Sequence, residues 1–92
     1  MRQTHWINYL IMINNNREYV LIKNGKTYFL CKFIKNDWYM PLYIGSPKNK
    51  WLKNTDLGDY ALLNFKINEQ DKILKTYTKQ QFLKKFFDLL LQ

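Results

Sequence analysis

Between residues 17 and 44 apolar and polar positions alternate with a period near two, interrupted at Asn24-Gly25 and again at Asn36-Asp37. That pattern predicts two consecutive hairpins, with strands at about 18–23, 26–35 and 38–44. Asn-Gly supplies the φ > 0 positions of a type I′ turn. A two-residue loop there pairs Lys23 with Lys26, Leu21 with Tyr28 and Tyr19 with Leu30. An Asn36-Asp37 turn pairs Ile34 with Tyr39, Phe33 with Met40, Cys31 with Leu42 and Leu30 with Tyr43. Pro41 has no N–H for a ladder, so the third strand is expected at an edge or with a bulge.

Side chains then divide by alternation. Val20, Ile22, Phe29, Cys31, Phe33, Met40, Leu42 and Ile44 share one face, the expected core. Tyr19, Leu21, Tyr28, Leu30, Ile34, Tyr39 and Tyr43 share the other, among Arg17, Lys23, Lys26 and Lys32. This second face either stacks bases and binds phosphates or lies under another element.

The flanking segments are less regular. Trp6, Tyr9, Leu10 and Ile13 share a helical stripe after Thr4, whereas Ile7, Tyr9, Ile11 and Ile13 alternate as a strand would. Asn14, Asn15 and Asn16 offer a helix exit and favour the first reading, while the β-branched residues oppose it. Residues 45–58 read as a long basic surface loop with room for one helical turn near Trp51. Residues 60–67 read as another strand, and 69–77 as a turn or short helix. Thr78 with Gln81 three residues on is a capping-box pattern. It opens a helix whose stripe is Phe82, Leu83, Phe86, Phe87 and Leu90. The expected fold is α+β, a small antiparallel sheet of three to five strands packed against this helix on its Val20/Phe29/Phe33 face. An SH3-like or OB-like small barrel is the alternative.

Ninety-two residues predict a single compact domain over 1–92. The formal net charge of +8 favours anionic partners. It is uneven: residues 1–55 hold nine Lys/Arg against two acids, and residues 56–92 hold six against five. Abundant Asn, Ile, Lys and Tyr suggest AT-rich coding DNA, as in some low-GC bacteria, their phages or plasmids. In size and composition the chain resembles small phage- or plasmid-encoded accessory proteins, a resemblance that assigns no residue roles. The single cysteine, Cys31, excludes an intramolecular disulfide and reads as an inert core residue. The apolar run Trp6–Ile13 is too short for a membrane span, so a cytoplasmic protein without membrane contact is expected.

Catalytic chemistry is sparse. His5 is the only histidine and lacks a second imidazole. Asp56 and Asp59, with Glu69 and Asp71, match no metal-loop spacing, and the scattered Gly25, Gly45 and Gly58 form no phosphate loop. No catalytic residue, metal or cofactor is therefore expected. A ribonuclease-like toxin acting through Arg17 or a lysine with a tyrosine is the third reading, and a structural component the fourth.

Two classes of function remain. The leading one is a non-enzymatic nucleic-acid-binding protein, taking DNA or RNA. Its phosphate contacts would be Arg17, Lys23, Lys26, Lys32, Lys48, Lys50 and Lys53, with Trp51 stacking or wedging and Asn49 and Asn54 reaching base edges. The alternative is an inhibitor or modulator that binds an acidic surface on a larger protein through an aromatic face of Tyr19, Tyr28, Tyr39 and Tyr43. The same face would also suit a homodimer, burying roughly 800 Å² per subunit.

Overall fold

A computed structural model describes residues 18–46, 48 and 50–91. The segment Trp6–Ile13, with its helix and strand readings, lies outside these residues, as do His5, Arg17 and Asn49. The described chain is the expected α+β fold, an antiparallel sheet carrying a short C-terminal helix.

Three strands form a meander: β1 (Tyr19–Asn24), β2 (Thr27–Lys35) and β3 (Trp38–Gly45). β4 (Leu52–Lys53) leads into a 3₁₀ segment, Asn54–Tyr60. Then come β5 (Phe65–Lys66), β6 (Lys72–Tyr77), α1 (Lys79–Lys85) and α2 (Phe87–Leu90). The sheet order is β4-β3-β2-β1-β6, with β5 also on β3. β4 and β5 therefore share the outer edge of β3, pairing at Tyr43/Ile44 and at Trp38/Tyr39.

Both hairpins form, with changes of register. Asn24 pairs with Thr27, two residues from the expected register, and Gly25 alone takes a left-handed φ of 61° at the tip. A shift of two preserves the faces, so Val20, Ile22 and Cys31 still point together. The second turn keeps Asn36-Asp37 at its tip, with Asn36 at φ 53° and Lys35 paired with Trp38. Between these points β3 slips. Leu30 pairs with Tyr43 but Cys31 pairs with Pro41, leaving Leu42 as an extra residue; Ile34 restores the count on β2. The bulge expected at Pro41 is thus present, and it inverts the faces of residues 39–41.

Two apolar clusters result, one on each side. Val20, Ile22, Cys31 and Tyr39 form the first, with Phe29, Phe33, Phe65 and Ile67 around them. Leu30, Tyr43, Tyr77 and Phe82 form the second, with Tyr19, Leu21, Leu42, Trp51, Phe86 and Leu89. The helix therefore covers the tyrosine-bearing face, opposite to the expected Val20/Phe29/Phe33 side. That other side is closed by the chain around Phe65 and Ile67 instead. Phe82 decides the matter, since its ring stacks on Tyr19 at 4.2 Å with 10° between planes.

The helix start is as the sequence implies. Gln81 N–H donates to Thr78 Oγ1 at 3.1 Å, and Thr78 N–H donates to Gln81 Oε1 at 3.0 Å. The helix breaks at Phe86 (φ −113°, ψ 28°), and Leu83 and Phe87 of the expected apolar stripe are exposed. Two other expectations are corrected. Residues 69–77 begin with the expected turn, at 69–70, but continue as strand β6 rather than a helix, and only Phe65–Lys66 of the 60–67 segment is strand. No helix among the described residues is long and apolar enough to cross a membrane.

Candidate nucleic-acid interface

The expected aromatic platform is mostly interior. Tyr39 is 5% exposed and Tyr43 7%, the first because the β3 bulge turns it into the opposite cluster, the second because the helix covers it. Neither ring can stack on a base or anchor an interface. Tyr19 is half-buried, one ring face against Phe82. Burial, then the charge of Glu18, raises its phenol pKa; burial alone raises that of Tyr77. Cys31 is buried, and desolvation followed by Asp71 pushes its thiol up to about 12, so it offers no nucleophile.

The loop residues are also redistributed. Asn54 is buried, and its carboxamide is committed to Pro41 and Leu62. It cannot read a base edge. Trp51 is half-buried against the Tyr43 cluster, which fixes it as an anchor for the chain after β3. The approach is close: a Cβ on Gly45, at φ 153°, would meet the Lys50 carbonyl at 2.7 Å. Lys48, Lys50 and Lys53 remain exposed.

Lysines share cross-strand rows with accessible rings at the two ends of the helix-covered face. At the β1–β2 hairpin, register aligns Gly45, Tyr28, Lys23 and Lys72 in one cross-strand row. Lys23 Nζ lies 5.5 Å from the centre of the Tyr28 ring, and Lys26 stands exposed at the tip. At the β2–β3 hairpin, Trp38 pairs with Lys35 on one side and Lys66 on the other. Trp38 is 42% exposed and both lysines are exposed. Tyr39 points into the first cluster, so alternation turns Trp38 to the opposite side, where exposed Lys32 pairs with Met40. The two groups are seven residues apart along β2, roughly 23 Å at 3.3 Å per residue. Thus Lys23, Lys26 and Tyr28 come together, Lys32 lies near the Trp38 end, and Lys48, Lys50 and Lys53 flank Trp51.

Trp38, Lys35, Lys66 and Lys72 were missed by the sequence reading. Lys35 beside Trp38 follows directly from a two-residue turn at Asn36-Asp37. Lys66 and Lys72 could not be placed without the pairings of β5 and β6.

The described residues contain no group of three or more His, Cys, Asp or Glu able to hold a metal. Asp71 accepts from Asn24 Nδ2 at 2.7 Å and from Asn68 N–H at 3.0 Å, which gives it a structural task. A separate apolar groove of about 500 Å³ runs between β3 and the helix, with exposed Leu62, Leu63, Leu83 and Leu90 among its walls. Compared with known protein families, curated proteins and solved structures, the chain gives no match.

Proposed function

We propose that the protein binds single-stranded nucleic acid without catalysis, using Trp38 as a stacking ring and Lys35 and Lys66 as phosphate contacts. The observation behind this reading is the cross-strand row Lys35–Trp38–Lys66, an accessible indole between two exposed lysines. An indole can stack only on a base whose face is free, which favours single strands over duplex. The seven-residue α1, with Phe82 buried beneath it, is poorly suited to reading a major groove. Lys32, Lys23 and Lys26 extend the positive surface along the sheet. Size and composition suit a phage- or plasmid-encoded accessory protein acting in the cytoplasm.

The test is binding to labelled single-stranded DNA, single-stranded RNA and duplex DNA across a salt series. Affinity should fall with salt, with a log–log slope near −0.7 per phosphate neutralised on single strands. No binding to any of the three at about 50 mM salt would reject the proposal.

A second reading is binding to an acidic protein surface. It is favoured by the groove beside Lys53, where Leu62, Leu63, Leu83 and Leu90 supply apolar contacts. The accessible anchors there are leucines, because Tyr39 and Tyr43 are internal and one face of Tyr19 is covered by Phe82. Recovery of one host protein after nuclease treatment would favour this reading.

A further inference from the structure

We propose that the cleft between β6 and α1 is a phosphate-binding site whose cations are Lys75, Lys84 and Lys85. The cleft has a volume of about 570 Å³ and is lined by Lys75, Thr76, Tyr77, Gln81, Lys84 and Lys85. It does not require that the Trp38 surface bind nucleic acid.

The donor set carries the inference. Three lysines from two elements line one concave surface, and no carboxylate is among its lining residues. Like charges gathered around one cleft repel one another, and an anion bound there offsets that repulsion. The sequence hides this grouping. Lys75 belongs to a strand ending at Tyr77, while Lys84 and Lys85 lie one turn or more into the helix that follows.

The neutral groups point the same way. Gln81 Oε1 already accepts the Thr78 N–H, so its remaining hydrogen-bonding group is the amide NH₂, a donor. Lys75 Nζ is 5.6 Å from the centre of the Tyr77 ring, and the ring holds the ammonium at the cleft wall by cation–π attraction. Among the described residues β6 is the terminal strand of the sheet, and no other described strand pairs with its outer edge beside the cleft. A ligand rich in acceptors and carrying two negative charges fits such a surface, and phosphate has both properties.

The experiment uses the full chain labelled with ¹⁵N and titrated with sodium phosphate, against sodium chloride at matched ionic strength. Saturable shifts of the Thr76, Gln81 and Lys84 amides are expected with phosphate only. In K75Q/K84Q/K85Q, binding should weaken roughly tenfold or more, as loss of charge-assisted hydrogen bonds implies. Should that variant melt early, K75Q and K84Q separately carry the same comparison, since they alter different elements. Shifts no larger than those with chloride, or unchanged in the variants, overturn the proposal.

A second arm identifies the phosphate's source. A thymidine oligonucleotide of about 15 nucleotides should move the same amides if the cleft holds a backbone phosphate. The triple variant should then lower the salt slope by roughly two. If phosphate moves them and the oligonucleotide does not, the site stands and its ligand is a small phosphate compound. If the oligonucleotide binds wild type and triple variant with equal slope and phosphate moves nothing, the cleft proposal falls while the Trp38 reading survives.

Discussion

The carboxamide of Asn54 donates to the Pro41 carbonyl at 3.1 Å, joining the bulge in β3 to the chain that runs beside it. The same side chain exchanges two hydrogen bonds with Leu62, at 3.0 and 2.8 Å. Asn54 thus fills the gap on the outer edge of β3 between β4 and β5, where no described strand pairs with it.

Asn54→Leu should therefore be destabilising despite its similar volume. It leaves the Pro41 carbonyl and the Leu62 backbone unpaired, at a cost of about 1–3 kcal/mol for each group that water cannot reach. Thermal unfolding should show a drop of roughly 4–8 °C per kcal/mol. An unchanged melting temperature would mean that water replaces the carboxamide.

The two helix phenylalanines should differ. Phe82 is buried and touches Tyr19 and Tyr77, whereas Phe86 is half-buried at the helix break. Phe82→Ala should cost about 3–5 kcal/mol in urea unfolding, and Phe86→Ala clearly less. Equal losses would place the helix differently on the sheet.

Legibility in the sequence followed local chemistry. Asn24-Gly25, Asn36-Asp37 and Thr78/Gln81 each act within four residues, so the hairpins and the helix cap could be read directly. Pro41 announced a bulge, but which residue it would extrude could not be read, and that single residue decides whether Tyr39 or Met40 is interior. β6 was hidden for the same reason: Leu74 is an extra residue between Ile73 and Lys75, so the run Lys72–Tyr77 does not alternate cleanly. The helix was assigned to the wrong side because both faces are apolar enough to receive it. Among candidate site residues, the lysines could be named but not grouped, since grouping depends on β5 and β6. Trp51 and Asn54 were misread because a polar, lysine-rich segment gives no local sign that two of its members turn inward.

Cys31 sets a pH dependence. Burial raises its pKa from 9.0 to about 12 in the folded protein, while the unfolded thiol titrates near its ordinary value. The folded state therefore binds more protons above pH 9.0, and stability falls as pH rises from 9.0 toward about 12. The slope approaches 1.4 kcal/mol per pH unit for this one group. Tyr19 and Tyr77 shift in the same direction and steepen the loss at higher pH. Urea unfolding at pH 8 and 10 should show the fall for wild type, and a shallower one for Cys31→Ala.

Asp37 bears on the Trp38 surface. It lies in the turn between Lys35 and Trp38, and its carbonyl accepts the Ile67 N–H at 2.8 Å, which holds β5 in place. Asp37→Asn keeps that backbone bond and removes one negative charge beside the expected phosphate path. Affinity for single-stranded DNA should rise by a few-fold at most, about 1 kcal/mol or less for an exposed charge. Weaker binding would show that the carboxylate orients a contact rather than opposing one.

The two tryptophans near basic residues should separate function from packing. Trp38 is 42% exposed between Lys35 and Lys66, and its ring belongs to neither apolar cluster. Trp38→Ala should weaken single-strand binding by about 1–3 kcal/mol with little change in salt slope, because stacking neutralises no phosphate. The double variant K35Q/K66Q should instead reduce the slope by about 1.4. Trp51 packs on the cluster containing Leu30 and Tyr43, so Trp51→Ala should lower stability by roughly 1.5–2.5 kcal/mol, half the loss at a fully buried site. Salt-dependent anisotropy and urea unfolding of all three variants give the comparison. Normal stability with lost binding in Trp51→Ala, alongside normal binding in Trp38→Ala, would move the interface to Trp51, where exposed Lys48, Lys50 and Lys53 would supply the phosphate contacts.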